Sequence, residues 1–75
     1  MDVRKRLGLN LRRLRLAQGL GQEKFALEHG FDRTYISGIE RGVRNPTIAV
    51  VQRLADALNV PIQALVAEPG IRLES

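Results

Sequence analysis

The chain contains no cysteine and no tryptophan, a single histidine, and only 4% aromatic residues among 75. Without cysteine, neither disulfides nor thiolate zinc ligands can hold it together. One histidine, His29, is too few for a histidine-rich metal site, so no metal and no cofactor are expected. The scarcity of aromatics argues against base stacking on single strands as a binding mode. No apolar run approaches the roughly 20 residues of a membrane span. The opening MDVRKRLGLN is charged but lacks the apolar core of a secretory signal. These absences predict a cytoplasmic chain with no membrane partner. Catalysis is poorly provided for as well. There is no cysteine nucleophile, no second histidine, no phosphate-cradling glycine loop, and no base for Ser37. An enzyme is not expected.

What remains is one small domain. A chain of this size buries only about 60% of its unfolded surface, so a partner subunit would help to stabilise it. Its charge is unevenly placed. Residues 1–45 carry ten Lys or Arg against five acids, whereas residues 46–75 carry two against three. With a pI near 10.7, the asymmetry points to a polyanion on one side of the molecule.

The stretch QEKFALEHGFDRTYISGIERGVRNP, from Gln22 to Pro46, reads as two short helices joined by a glycine turn and followed by a basic loop. Ala26 is small enough for two helices to cross closely. Gly30 can take the positive φ that ends the first helix and aims the second. Phe31 can seal the turn, and His29 is expected to pack half-buried against it. Ile36 and Ile39, three apart, mark the inward face of the second helix. Arg33, Thr34, Ser37, Gly38 and Arg41 fall on the other face, which is small, polar and basic. Such a face suits the floor of a major groove.

Around this motif the pattern predicts an all-α chain of five helical segments and no strand. The first runs over about 3–18, with Val3, Leu7, Leu11 and Leu14 as its apolar stripe and Gly19 beyond its end. The second and third span about 22–29 and 33–41, with Asp32 as the N-cap of the third. The fourth follows Pro46, with Thr47 as N-cap, Ile48, Val51, Leu54, Ala55 and Leu58 inward, and Asn59 as C-cap. Pro61 opens a short fifth helix, where its missing N–H costs nothing. Ile62, Leu65 and Val66 face in. Residues 1–67 are read as the domain and 68–75 as a short C-terminal tail.

The segments GLGQEKFA, FDRTYISGIERGVRNP and LADALNV carry a resemblance. The span from Leu7 to Val66 resembles the phage-repressor-like helix-turn-helix domains, the Xre or Cro/C1 family. The RTYISGIERGVRN block is most similar to the controller proteins of restriction–modification systems. The resemblance implies a five-helix lambda-repressor-like DNA-binding domain with its third helix in the major groove. It also implies that Arg15 pairs with Glu40, tying the first helix to the recognition helix. Gln22 is implied to grip a phosphate at the amino end of the second helix. Family members often carry Ser before that Gln, and this chain has Gly21, so one hydroxyl contact is missing.

Arg33 can meet guanine O6 and N7 bidentately, and Thr34 a thymine methyl or a phosphate. Ser37 and Gly38 lie one turn on. An interior helix glycine costs about 1 kcal/mol, which either close approach to DNA or packing would explain. Tyr35 stands as a backbone or base contact, or as a partly buried residue. Arg41, Arg44 and Asn45 are expected on phosphates. Val50 and Ala57, seven apart and off the buried stripe, form with Asn59, Pro61, Ile62 and Leu65 the expected dimer interface, to which Ile71 and Leu73 of the tail would add.

The resulting expectation is a homodimer on palindromic double-stranded DNA operators, regulating transcription by excluding RNA polymerase or touching it. No small-molecule ligand is expected. Two other readings stand beside it: an antitoxin-type autorepressor, for which the tail is short, and a protein–protein adaptor on the same fold, against which Arg33, Arg41 and Arg44 argue.

Overall fold

A computed structural model describes residues 2–68. Among them are five helices and no strand: α1 (Val3–Ala17), α2 (Gln22–His29), α3 (Arg33–Glu40), α4 (Ile48–Leu58) and α5 (Gln63–Val66). Ile71 and Leu73 lie outside the described residues.

Each boundary has a local cause. At α1, the Asp2 carboxylate accepts from the Arg4 N–H at 2.7 Å and from the Arg4 guanidinium, which holds its pKa down at about 2. Asp32 accepts from the N–H groups of Thr34 and Tyr35, and Thr47 Oγ1 from that of Val50, so both expected caps form. Gly21 begins α2 with no side-chain bond to offer, as its composition dictates. Gly30 takes φ 73°, and the Phe31 N–H donates to the Ala26 carbonyl at 2.8 Å. That left-handed residue closes α2 and turns the chain into α3. Asn59 does the same for α4 at φ 58°. The fifth helix starts two residues after Pro61. Ala64 and Leu65 donate to the carbonyls of Pro61 and Ile62, three residues back, so a tighter turn leads into α5.

All five helices supply the core: Leu7, Leu11, Phe25, Ala26, Ile36, Ile39, Val51, Leu54, Ala55, Leu58 and Leu65. Leu14, Ile62 and Val66 pack half-buried against it, and two members of the expected stripes are exposed. Val3 is 52% exposed and Ile48 is 73% exposed. Both sit in the first turn of their helices, beyond the reach of the layer that covers Leu7 and Val51. They flank a shallow groove of about 240 Å³ that also touches Val66.

The long helix α1 is the organiser, packing chiefly on α3 and α5. A Cβ on Gly8 would stand 2.5 Å from the carbonyl oxygens of Ile39 and Glu40, so only glycine permits this crossing. Asn10, fully buried, donates to the carbonyls of Leu65 at 2.9 Å and Ala67 at 2.7 Å. Gln18 donates to the Leu58 carbonyl at 2.8 Å. Both side chains satisfy acceptors that helix ends leave open.

Candidate nucleic-acid interface

Ile36 and Ile39 are wholly buried, which fixes the roll of α3. That roll leaves Arg33 and Thr34 exposed and Ser37 half-buried on the outward side. The helix is also locked at its end. Arg15 Nε donates to Glu40 Oε2 at 2.7 Å and Nη2 to Oε1 at 2.8 Å, a two-point fork. The third guanidinium nitrogen donates to the Leu20 carbonyl at 2.7 Å, and Gln22 Nε2 adds a bond to Glu40 Oε1 at 3.0 Å. The two side chains are 5% and 3% exposed. The hydrogen bonds to Glu40 raise the Arg15 pKa further above its already high value, so the guanidinium stays charged. The implied pair is therefore present, and it joins α1, α2 and α3 in one polar knot.

The knot fixes the amide of Gln22 at the amino end of α2, with one of its two N–H groups engaged by Glu40. Beyond α3, Arg41 and Asn45 are exposed. Lys5 of α1 packs against Gly42, the residue after Arg41, because a Cβ on Gly42 would lie 2.9 Å from Lys5 Cγ. Nothing in the run VRKR indicated which of its basic residues meets the loop after α3, and only the α1–α3 crossing decides it.

Arg44 is also exposed, and its side chain lies back along α3. A Cβ on Gly38 would be 2.7 Å from Arg44 Cγ and 3.2 Å from Nε. The guanidinium carbon is 5.7 Å from the centroid of the half-buried Tyr35 ring, within cation–π range. Gly38 is consequently buried beneath Arg44 and is corrected from a base contact to a packing position.

The turn itself carries aromatic packing. Phe25 and Phe31 lie parallel with centroids 6.3 Å apart, and the half-buried His29 ring is 4.9 Å from Phe25. Arg53 of α4 lies 4.4 Å over Phe31. This second lock on the turn had no signal in the sequence, since an arginine on an exposed helix face has no fixed partner until α4 is placed.

The expected interface residues sit on α4 and beyond, whereas α3 packs mainly on α1 and α2. Val50, Ala57 and Ile62 are half-buried and lie against the core, and Asn59 and Pro61 are exposed. Leu65 is a correction. It is wholly buried inside the single chain, below α1, and has no surface left for a second subunit.

This geometry, two helices at a glycine turn with an outward polar helix, coincides with a helix-turn-helix family model over residues 11–65. The chain belongs to that family, HTH_3. This helix-turn-helix protein is 38% identical over 74 residues to the control protein C.SmaI of Serratia marcescens, across 99% of this chain and 88% of the relative. The restriction–modification controller protein C.AhdI from Aeromonas hydrophila superposes with a TM-score of 0.77 at 42% identity, covering 83% of this chain and 94% of that one. The controller protein C.Esp1396I, solved as a tetramer with its natural 35 base-pair operator, superposes with a TM-score of 0.77 at 34% identity, covering 87% of this chain and 86% of that one. The resemblance to controller proteins thus holds along most of the chain, and these relatives are regulators rather than enzymes.

Proposed function

We propose that this chain is a cytoplasmic homodimeric regulator that binds palindromic operators in double-stranded DNA. The domain of residues 1–67 places α3 in the major groove, with Arg33 and Thr34 on base edges and Ser37 one turn behind them. Tyr35 flanks this set. Gln22, Arg41 and Asn45 fix the register on phosphates, and Lys5 joins them. Two half-sites about 34–36 Å apart would match a two-fold axis. The observation that carries the reading is the outward set Arg33–Thr34–Ser37 on a helix whose opposite face and end are both locked. Kinship with controller proteins supports a place in a restriction–modification locus. There the protein regulates transcription from a promoter, with RNA polymerase as the second party.

The test is a mobility shift with a pool of random duplexes at two salt concentrations, followed by sequencing of the retained fraction. Retention at low salt and enrichment of a palindromic sequence at higher salt are expected. Retention that is equally strong for every sequence, or absent at both salts, removes the operator-binding reading. An adjacent methyltransferase and endonuclease in the genome would support the controller assignment, and their absence would count against it.

A further inference from the structure

We propose that Arg53 is a positioning residue that holds the turn before α3 in register with α4, and so sets which spacing of half-sites a dimer accepts. The inference rests on the dimeric operator reading above and deepens it. In a dimer on a palindrome, the distance between the two recognition helices depends on whatever joins each α3 to the two-fold axis. The expected two-fold line, Val50 and Ala57, lies on α4. The main packing of α4 is with α1 and α5, whereas that of α3 is with α1 and α2. The helix that carries the axis and the helix that enters the groove are therefore joined chiefly through α1 and the shared core. Arg53 adds a direct link between α4 and the turn.

Arg53 stands three residues after Val50 and four before Ala57, so all three are neighbours on the surface of α4. From there its guanidinium carbon reaches 4.4 Å over the Phe31 ring, well within cation–π range. A Cβ on Gly30 would lie 4.0 Å from its Nη2, so the guanidinium rests against both residues of the turn. The ring beneath it is anchored in its turn. Phe31 lies parallel to Phe25 at 6.3 Å, and Phe25 is wholly buried. No carboxylate competes for the cation. Among the described residues none lies within ion-pair distance of Arg53. Asp56, the one acid of α4, accepts from Gln52 Nε2 at 2.9 Å. Arg53 thus has Val50 and Ala57 beside its stem and the start of the recognition helix beneath its head. An exposed contact of this kind amounts to a factor of roughly 2 to 5 in an equilibrium constant. That is enough to bias the tilt of α3 relative to α4, and too little to be needed for folding.

The experiment first selects a palindromic duplex with the wild-type chain. Affinity is then measured for that duplex, for versions with a base pair inserted or removed between the half-sites, and for a single half-site. The proteins compared are wild type, Arg53→Gln, Arg53→Lys and Phe31→Leu. Arg53→Gln is expected to reduce the preference for the selected spacing over the altered ones by a factor of roughly 2 to 5 per subunit. Half-site affinity, circular dichroism and the dimer affinity from sedimentation equilibrium are expected to stay unchanged. Arg53→Lys keeps a cation over the ring and is expected to restore part of the preference, whereas Phe31→Leu is expected to reproduce its loss. Should Phe31→Leu fail to fold, the exposed Arg53→Gln decides alone. Equal weakening of every duplex, half-site included, would make Arg53 a phosphate contact or a local prop of the turn, and would overturn the proposal. Loss of dimerisation by Arg53→Gln would make it an interface residue and overturn it as well, as would an unaltered spacing preference. A wild-type chain that selects no palindrome would overturn the dimeric operator reading, and this inference with it.

Discussion

At the scale of single residues, the ion pair between Arg15 and Glu40 should dominate stability. Three guanidinium nitrogens are engaged, and both side chains are almost sealed from water. Removing either partner strands a buried charge, at a cost of roughly 3–5 kcal/mol. A small domain holds little more than that in total. Urea unfolding of Arg15→Ala and Glu40→Ala should therefore show a large loss, which Arg15→Lys does not recover, since one ammonium cannot make the fork. A loss below about 1 kcal/mol would mean a pair no stronger than a surface one. The pair was legible through the family pattern around IERG. The bonds from Arg15 to the Leu20 carbonyl and from Gln22 to Glu40 were not, because they depend on how the chain between α1 and α2 folds back. Arg33 is the opposite case, exposed and unneeded by the fold. Arg33→Ala should cost about 1–3 kcal/mol on the preferred duplex and relax one base position, with circular dichroism unchanged. Equal loss on every sequence would instead make Arg33 a backbone contact.

At the scale of elements, the ends of helices were readable and their mutual approach was not. Asp32, Thr47, Gly30 and Asn59 all act as the expected caps, since capping is local chemistry that a few neighbouring residues decide. Val3 and Ile48 failed because periodicity names a face without saying whether a neighbour covers it. Gly8 and Asn10 carried no signal at all, yet they set how α1 meets α3 and α5. Gly8→Ala tests that crossing. The new methyl would meet backbone carbonyls rather than a movable side chain, so α1 and α3 must separate. Thermal melting and duplex binding should deteriorate together, whereas a variant with the wild-type melting temperature would show that the crossing has slack. The loop after α3 offers a cleaner electrostatic test. Arg41→Ala should weaken specific and non-specific duplexes alike, and reduce the slope of log affinity against log salt by about 1. An unchanged slope would take Arg41 off the phosphates.

At the scale of the whole molecule, the sequence already separates a basic first part from a nearly neutral second part, with ten basic residues against five acids and two against three. The structure adds that α4 and α5 are distinct from the main supports of α3, so one region can face DNA while another meets a second subunit. With Leu65 committed to the core, the residues left to the expected interface are Val50, Ala57, Asn59, Pro61 and Ile62. Val50 and Ala57, seven apart on α4, share one side of the helix and are half-buried against the edge of the core. Their side chains are small, so the interface is expected to be modest and the affinity about micromolar, near the lower end of areas that support stable association. Val50→Glu with Ala57→Glu places two carboxylates on this line in each subunit, hence four around a two-fold axis. Val51, Leu54, Ala55 and Leu58 remain untouched beneath them, so the single chain should keep its helical content. Sedimentation equilibrium should then find a folded monomer where the wild type dimerises. A palindromic duplex should bind it far more weakly, while a half-site duplex binds it about as well as before. That contrast separates a lost interface from a damaged recognition helix, which would weaken both duplexes. If the double variant dimerises with unchanged affinity, the two-fold axis runs elsewhere, and the exposed pair Val3 and Ile48 beside the groove at the start of α1 and α4 becomes the next place to substitute.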